Sequence, residues 1–255
     1  MVPEQRRQRP LVCGLQLQNF DDDTRQGLLP QQMFVGTLGC FVVTGGGKNA
    51  ILSNNHVVAG ENRGLRGADQ ILQAGGVTVG ADLVATLTDF IALVTSPAGG
   101  LPALGNVHFN DIDAGIAELS ASISFNQRYL ATRAITDPTT GIATPLTAPS
   151  GTATAAVGDR VFKVGRTTGL TYGEVIDITT VVGPVQYGPR TCWFRRCFTV
   201  IDPRGGQFSD LGDSGSAIVK ESTGEVLGLL FAGNGVDSYA CPIDTVLSAL
   251  SCSMV

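Results

Sequence analysis

Two short words in the chain carry residue types able to do nucleophilic chemistry: Leu52-Ser53-Asn54-Asn55-His56-Val57-Val58 and Leu211-Gly212-Asp213-Ser214-Gly215-Ser216-Ala217-Ile218-Val219. A serine hydroxyl is a poor nucleophile near neutral pH. It becomes competent when an imidazole takes its proton, and the imidazole needs a carboxylate to fix its tautomer and stabilise its cation. His56 and Ser214 suit the first two roles. Each word alone also has a plainer reading, a satisfied loop histidine or a serine exposed in a tight turn. The combination weighs more, because the chain order runs histidine after an apolar run, then carboxylate, then a serine between glycines. Gly212 and Gly215 let the backbone turn sharply, so that the N–H groups of Gly212 and Ser214 point at a developing oxyanion. Losing one such donor typically costs about 3 kcal/mol. The G-x-S-x-G elbow of α/β-hydrolases is not supported, since Ser216 stands where it needs glycine.

Asp89, Asp111 and Asp113 all lie between His56 and Ser214, and spacing alone does not choose among them. Asp113 is followed by Ala114-Gly115-Ile116-Ala117, small residues that let backbone and imidazole approach a buried carboxylate, whereas Asp89 leads into bulky Phe90. The plain alternative for Asp113 is that it caps a turn.

The elements that must hold these residues are short strands. Runs rich in Val, Leu, Ile, Phe and Thr recur between Gly, Asn, Asp and Pro, the pattern of an all-β sandwich or barrel. One segment has helical spacing: Ile243, Val246, Leu247 and Leu250 follow Pro242, which predicts a short amphipathic C-terminal helix. The Thr, Pro, Ala and Gly-rich stretch 135–158 reads as a connection between two strand-rich halves. The expected organisation is an N-terminal extension 1–30, a first barrel 31–123 with His56 and Asp113, a connection 124–158, a second barrel 159–240 with Ser214, and the helix in 241–255.

Composition excludes several classes. With 22 acidic against 17 basic residues in 255, the formal charge is −5 and the arginines form no stripe able to neutralise phosphates, so nucleic acid is not the expected partner. The apolar runs are strand-sized, far below the roughly 20 residues of a membrane helix, so no membrane partner is expected. Six cysteines without a C-x-x-C pair, and only two histidines, do not resemble a zinc site; no metal and no cofactor are expected. Arg6, Arg7 and Arg9 imitate the charged start of a signal peptide, but the apolar stretch after them is short, broken by Gln16 and Gln18, and lacks a small-x-small cleavage site. The expectation is a cytoplasmic chain with reduced thiols. A secreted chain is the alternative, in which Cys192 and Cys197 could close a short hairpin around Trp193-Phe194-Arg195-Arg196.

The words around His56 and Ser214, together with Lys163-Val164-Gly165-Arg166-Thr167-Thr168-Gly169-Leu170-Thr171-Tyr172-Gly173-Glu174-Val175, resemble trypsin/chymotrypsin-like serine proteases, especially the alpha-lytic and streptogrisin type. A closer resemblance is to the plant narrow-leaf type of trypsin-like protease and its bacterial relatives, through Arg9-Pro10-Leu11, Gly36-Thr37-Leu38-Gly39 and the Asp-Ala-x-Ile-Ala segment at Asp113. The likeness runs over nearly the whole chain from about residue 9. It implies two packed six-stranded antiparallel β-barrels and a serine endopeptidase acting on a protein or peptide substrate. It favours Asp113 as the third member. It places Phe208 and Ser209 at the base of a substrate pocket, the plain alternative being that Phe208 is simply core, with Asp210 able to reach the pocket and reverse its preference, and makes Phe231, Ala232 and Gly233 an edge strand for substrate backbone. With no acid at 208, a small or apolar residue before the cut is expected. No Ile-Val-Gly-Gly start is present, and the resemblance pairs Asp213 with Lys163 instead, with Arg166 as a fallback, in a chain born active.

Two other classes stay open: a binding or scaffold protein that keeps the fold without turnover, and an esterase with the same machinery. A homo-oligomer is also left open. Too few residues follow 253 for a PDZ-like domain, so a chaperone-protease of that tandem kind is not expected. If Asp113 orients His56, Asp113→Asn should fold normally yet turn over about 10⁴-fold more slowly, measured on any cleaved reporter peptide. Near-normal turnover in that variant would move the role to Asp89.

Overall fold

The computed structural model describes residues 3–28, 34–73, 79–97, 107–130, 134–136 and 143–255. Branched and aromatic side chains pack well on a pleated surface, and the runs rich in them form the strands of two large sheets. The first sheet follows the order Cys252–Met254, Cys40–Thr44, Asn49–Ser53, Gly115–Leu119, Leu83–Phe90, Gln70–Leu72, Gln16–Asn19, Gly36–Thr37. The second closes on itself through six strands: Gly169–Tyr187, Arg160–Gly165, Ala217–Lys220, Val226–Gly233, Ser238–Pro242 and Arg190–Ile201, the last pairing back with the first. The expected pair of antiparallel barrels is therefore present.

The segment boundaries differ from the sequence-based expectation at both ends. Gln16–Asn19, within the segment read as an extension, is a buried strand pairing with Gly36–Thr37 and Gln70–Leu72. At the other end the helix Ile243–Ala249 buries Ile243, Val246 and Leu247, the face its spacing predicts. The chain then adds Cys252–Met254 to the edge of the first sheet beside Cys40–Thr44, so the C-terminus ties the second barrel to the first. Of the expected connection, Ala134–Thr136 pairs with Ala143–Pro145; residues 131–133 and 137–142 lie outside the described residues.

The second barrel carries one long excursion. Glu174 pairs with both Arg160 and Ile201, and beyond it Gly169–Tyr187 continues with Arg190–Ile201 as a two-stranded hairpin whose turn is Gly188-Pro189. Trp193-Phe194-Arg195-Arg196 is thus mid-strand, not a tip, and Cys192 and Cys197 lie on one strand with free thiols. All six thiols are free. The hairpin reaches the His56 and Asp113 half of the chain, pairing Thr191 with Ser96 and Trp193 with Phe109.

One continuous apolar core joins the barrels, with Phe41 and Leu52 in the same cluster as Phe162, Phe194, Leu229 and Phe231. At its centre the backbones nearly touch. A Cβ on Gly39 would lie 2.4 Å from the carbonyl oxygen of Gly215 and 3.0 Å from Leu229 Cδ1. Gly39→Ala should therefore force the barrels apart at this point and cost about 2 kcal/mol of stability. In urea unfolding its midpoint should fall clearly, whereas that of Gly80→Ala, where a Cβ meets nothing within 4 Å, should not.

Candidate active site

His56 lies in the short helix Asn55–Val58, directly after the strand Asn49–Ser53. The helix is fixed by its asparagines. Asn54 Nδ2 donates to the backbone oxygen of Asp113 at 2.7 Å, and Asn55 Nδ2 donates to Ile91 O at 2.6 Å and to Asn62 Oδ1 at 2.8 Å. These bonds bring Asp113 to the imidazole. His56 Nδ1 and Asp113 Oδ2 are 2.5 Å apart, and the backbone N–H of His56 donates to Asp113 Oδ1 at 3.2 Å. Asp113 is fully buried, while the His56 side chain keeps 18% exposure, enough for its other ring nitrogen to meet a substrate.

The two other carboxylates are engaged elsewhere. Asp89, half exposed, accepts from Arg66 Nε at 2.7 Å, and that guanidinium lies 3.7 Å over the Phe90 ring. Asp111 pairs with Arg195 at 2.7 Å and Arg196 at 3.4 Å. Only Asp113 of the three meets His56.

Ser214 sits in a turn with left-handed backbone on both sides, φ being +96° at Gly212 and +92° at Gly215. The turn is docked onto the first barrel: Thr37 N–H donates to Ser214 O at 2.8 Å and Thr37 Oγ1 to Gly212 O at 2.9 Å. Gly36 is sandwiched between the two words found in the sequence. A Cβ there would lie 2.3 Å from Val57 Cγ2 and 2.9 Å from Ser214 O, so the His56 helix and the Ser214 turn face one another across a single glycine. Ser214 Oγ donates to Phe231 O at 3.4 Å rather than to His56. Among the described residues, the N–H groups of Gly212 and Ser214 have no acceptor.

Asp213, beside the serine, is fully buried and faces Lys163 Nζ at 3.2 Å, itself fully buried. Thr167 N–H at 2.8 Å and Thr168 N–H at 3.1 Å donate to Oδ1, while Thr168 Oγ1 at 2.6 Å and Asp210 N–H at 3.1 Å donate to Oδ2. The Lys163 ammonium also donates to Thr168 Oγ1 and to Gly169 O. Gly165 is required here, because a Cβ would fall 2.3 Å from Asp213 Oδ1. Arg166, the fallback cation, turns its Nε to Gln16 Oε1 at 2.8 Å, and burial lowers its pKa.

The pocket expectation needs one correction. Phe208 has no exposed surface and belongs to the second barrel's own core with Val161, Val175, Phe198 and Val200, so it does not line a site open to solvent. Its aromatic bulk is held there by the barrel interior, in a way that residue type alone does not reveal. Ser209 shares a 2.7 Å hydrogen bond with Ser238, and a Cβ on Gly233 would sit 3.3 Å from Ser209 Oγ and 3.6 Å from Ser238 Oγ. Asp210 is exposed, its Oδ1 accepting from Leu211 N–H at 2.7 Å. Phe231 turns its ring into the core, while Ala232 is half-buried and Gly233 exposed at the end of the strand Val226–Gly233. No group of three or more potential metal ligands occurs among the described residues.

Tyr187 was not found from the sequence. Its hydroxyl donates to Asp113 Oδ2 at 2.7 Å, and its ring centre lies 5.3 Å from that of His56. Burial, then the Asp113 charge, hold its phenol well above the ordinary pKa. A tyrosine at a strand end between Gly-Pro pairs carries no signal of a carboxylate 74 positions away.

No protein-family model and no curated protein matches the chain. Solved structures do. The chain is similar to a Nocardiopsis protease at 14% identity and a TM-score of 0.58, covering 95% of this chain and 97% of that one. It is similar to a glutamic acid specific serine protease at 19% identity and 0.57, covering 96% and 100%. Thermobifida fusca protease A is similar at 16% identity and 0.54, covering 87% and 92%. The chain thus has the two-barrel fold of trypsin/chymotrypsin-like serine proteases.

The buried pair beside Ser214 yields a direct test. Lys163→Met leaves Asp213 without a countercharge in a site closed to water and should cost about 3 kcal/mol or more in urea unfolding. Arg166→Gln, whose guanidinium serves Gln16 instead, should cost no more than about 1 kcal/mol.

Proposed function

We propose that this chain is a serine endopeptidase. Ser214 attacks the peptide carbonyl while His56 takes its proton, and an acyl-enzyme forms that water then hydrolyses. Asp113 holds the His56 tautomer and stabilises the imidazolium. The N–H groups of Gly212 and Ser214 receive the oxyanion. The observation that carries this reading is the 2.5 Å contact of His56 Nδ1 with Asp113 Oδ2, opposite a Ser214 turn held across Gly36. Rotation about the Ser214 Cα–Cβ bond, away from Phe231 O, is the movement the reaction asks for; catalytic hydrogen bonds commonly tighten only when substrate binds.

The substrate is an extended peptide whose backbone pairs with Phe231 to Gly233. Beneath Gly233 the Ser209 and Ser238 hydroxyls present polarity without charge, which supports a small, neutral side chain before the cut. The exposure of Asp210, whose Oδ1 accepts from Leu211 N–H, supports the same preference.

A fluorophosphonate probe tests the nucleophile. Wild-type protein should label and Ser214→Ala should not, and a peptide library should show cleavage after small residues. A folded wild type that resists the probe overturns the reading in favour of a scaffold, and labelling without peptide cleavage replaces it with an esterase.

A further inference from the structure

We propose that Tyr187 is a positioning residue for the Asp113 and His56 pair, supplied by the second barrel's hairpin; this rests on the endopeptidase reading above. Three polar donors converge on the buried Asp113 carboxylate: the His56 backbone N–H on Oδ1, and the His56 ring and the Tyr187 hydroxyl together on Oδ2. The Tyr187 hydroxyl therefore shares the oxygen that binds the imidazole. A second donor on one carboxylate oxygen spreads its charge and fixes its direction, so the phenol sets both where the carboxylate points and how strongly it holds the imidazolium.

The ring does a second job. Tyr187 is 5% exposed and packs edge-on against Phe194 at 6.4 Å, and Phe194 lies 4.4 Å from Phe231. The Phe231 carbonyl receives Ser214 Oγ. A row of three aromatic rings thus connects the group that anchors Asp113 with the strand that faces Ser214, and all three come from the second barrel. The hairpin places this row. Its strands leave the barrel beyond Asp177 and Phe198 and extend to its turn at Gly188-Pro189, directly after Tyr187. Among the described residues, the other titratable groups facing Asp113 are thiols. Cys241 Sγ accepts from the Asp113 N–H at 3.4 Å, and burial, then the Asp113 charge, push the Cys192 thiol up. Neither donates to the carboxylate, so the phenol has no substitute.

Tyr187→Phe keeps the ring and deletes the hydroxyl. The test is an imidazole NMR titration, which reads His56 whether or not the protein turns over substrate; His108 is the only other histidine and serves as the internal control. Without the phenol the carboxylate charge falls more fully on the imidazolium, so the His56 pKa should rise by about half a unit while His108 stays in place. On a reporter peptide kcat should drop roughly tenfold with KM nearly unchanged. Phe194→Leu disturbs the same packing but leaves the hydroxyl, and should leave the His56 titration at the wild-type value. An unmoved His56 in Tyr187→Phe overturns the proposal, as does an equal move in Phe194→Leu, which assigns the effect to packing. Failure of the endopeptidase reading shows separately, as absent probe labelling of wild-type protein.

Discussion

Almost everything at this site depends on a backbone-to-backbone approach between the two barrels. The Gly36 to Gly39 segment lies so close to the Gly212 to Gly215 turn that side chains at Gly36, Gly39 or Gly215 would collide with the opposite backbone. Thr37, between them, uses both its N–H and its hydroxyl to hold that turn, and its own carbonyl receives the Ser53 hydroxyl three residues before His56. Glycine is needed because a tertiary contact leaves no room for a Cβ, and in the turn because φ is positive. A serine and a histidine 158 positions apart in sequence thereby come to share one wall.

The site also places two carboxylates in the dry interior and solves the cost of each differently. Asp213 is neutralised by a full countercharge, Lys163, and by four donors from Thr167, Thr168 and its own turn, which leaves it rigid and structural. Among the described residues, Asp113 has no permanent cation beside it. Its donors are a backbone N–H, a phenol and an imidazole, so its charge remains available to an imidazolium when one forms. A fixed cation at Asp113 would satisfy burial equally well, yet would repel the charge that the proposed reaction puts on His56.

The long hairpin shows how one barrel shapes a site seated in the other. Up to Asp177, and again from Phe198, it is part of the closed ring; between them it is an arm paired to Ser96 and Phe109. Its exposed face carries Ile176, Ile178 and Val181, while its inner face carries Val182, Tyr187, Cys192 and Phe194 into the shared core. The arm thereby adds to the shared core beside Asp113.

The local words were legible in the sequence. Histidine after an apolar strand, serine between glycines, strand-sized apolar runs and the 243, 246, 247, 250 helix face are all short-range patterns, and short-range patterns follow from backbone sterics and side-chain period. The small residues after Asp113 pointed to a carboxylate that could be closely approached, and Asp113 is the one that meets His56. What only the tertiary structure decided was which distant groups share a space. Tyr187 on Asp113, Phe208 in the barrel core rather than at a pocket, Gln16–Asn19 as a buried strand and Cys252–Met254 as the closing edge all depend on contacts across many tens of residues. Such contacts leave no periodic trace in one chain, because any residue of suitable size and polarity satisfies the local pattern and only packing against a remote partner selects among them.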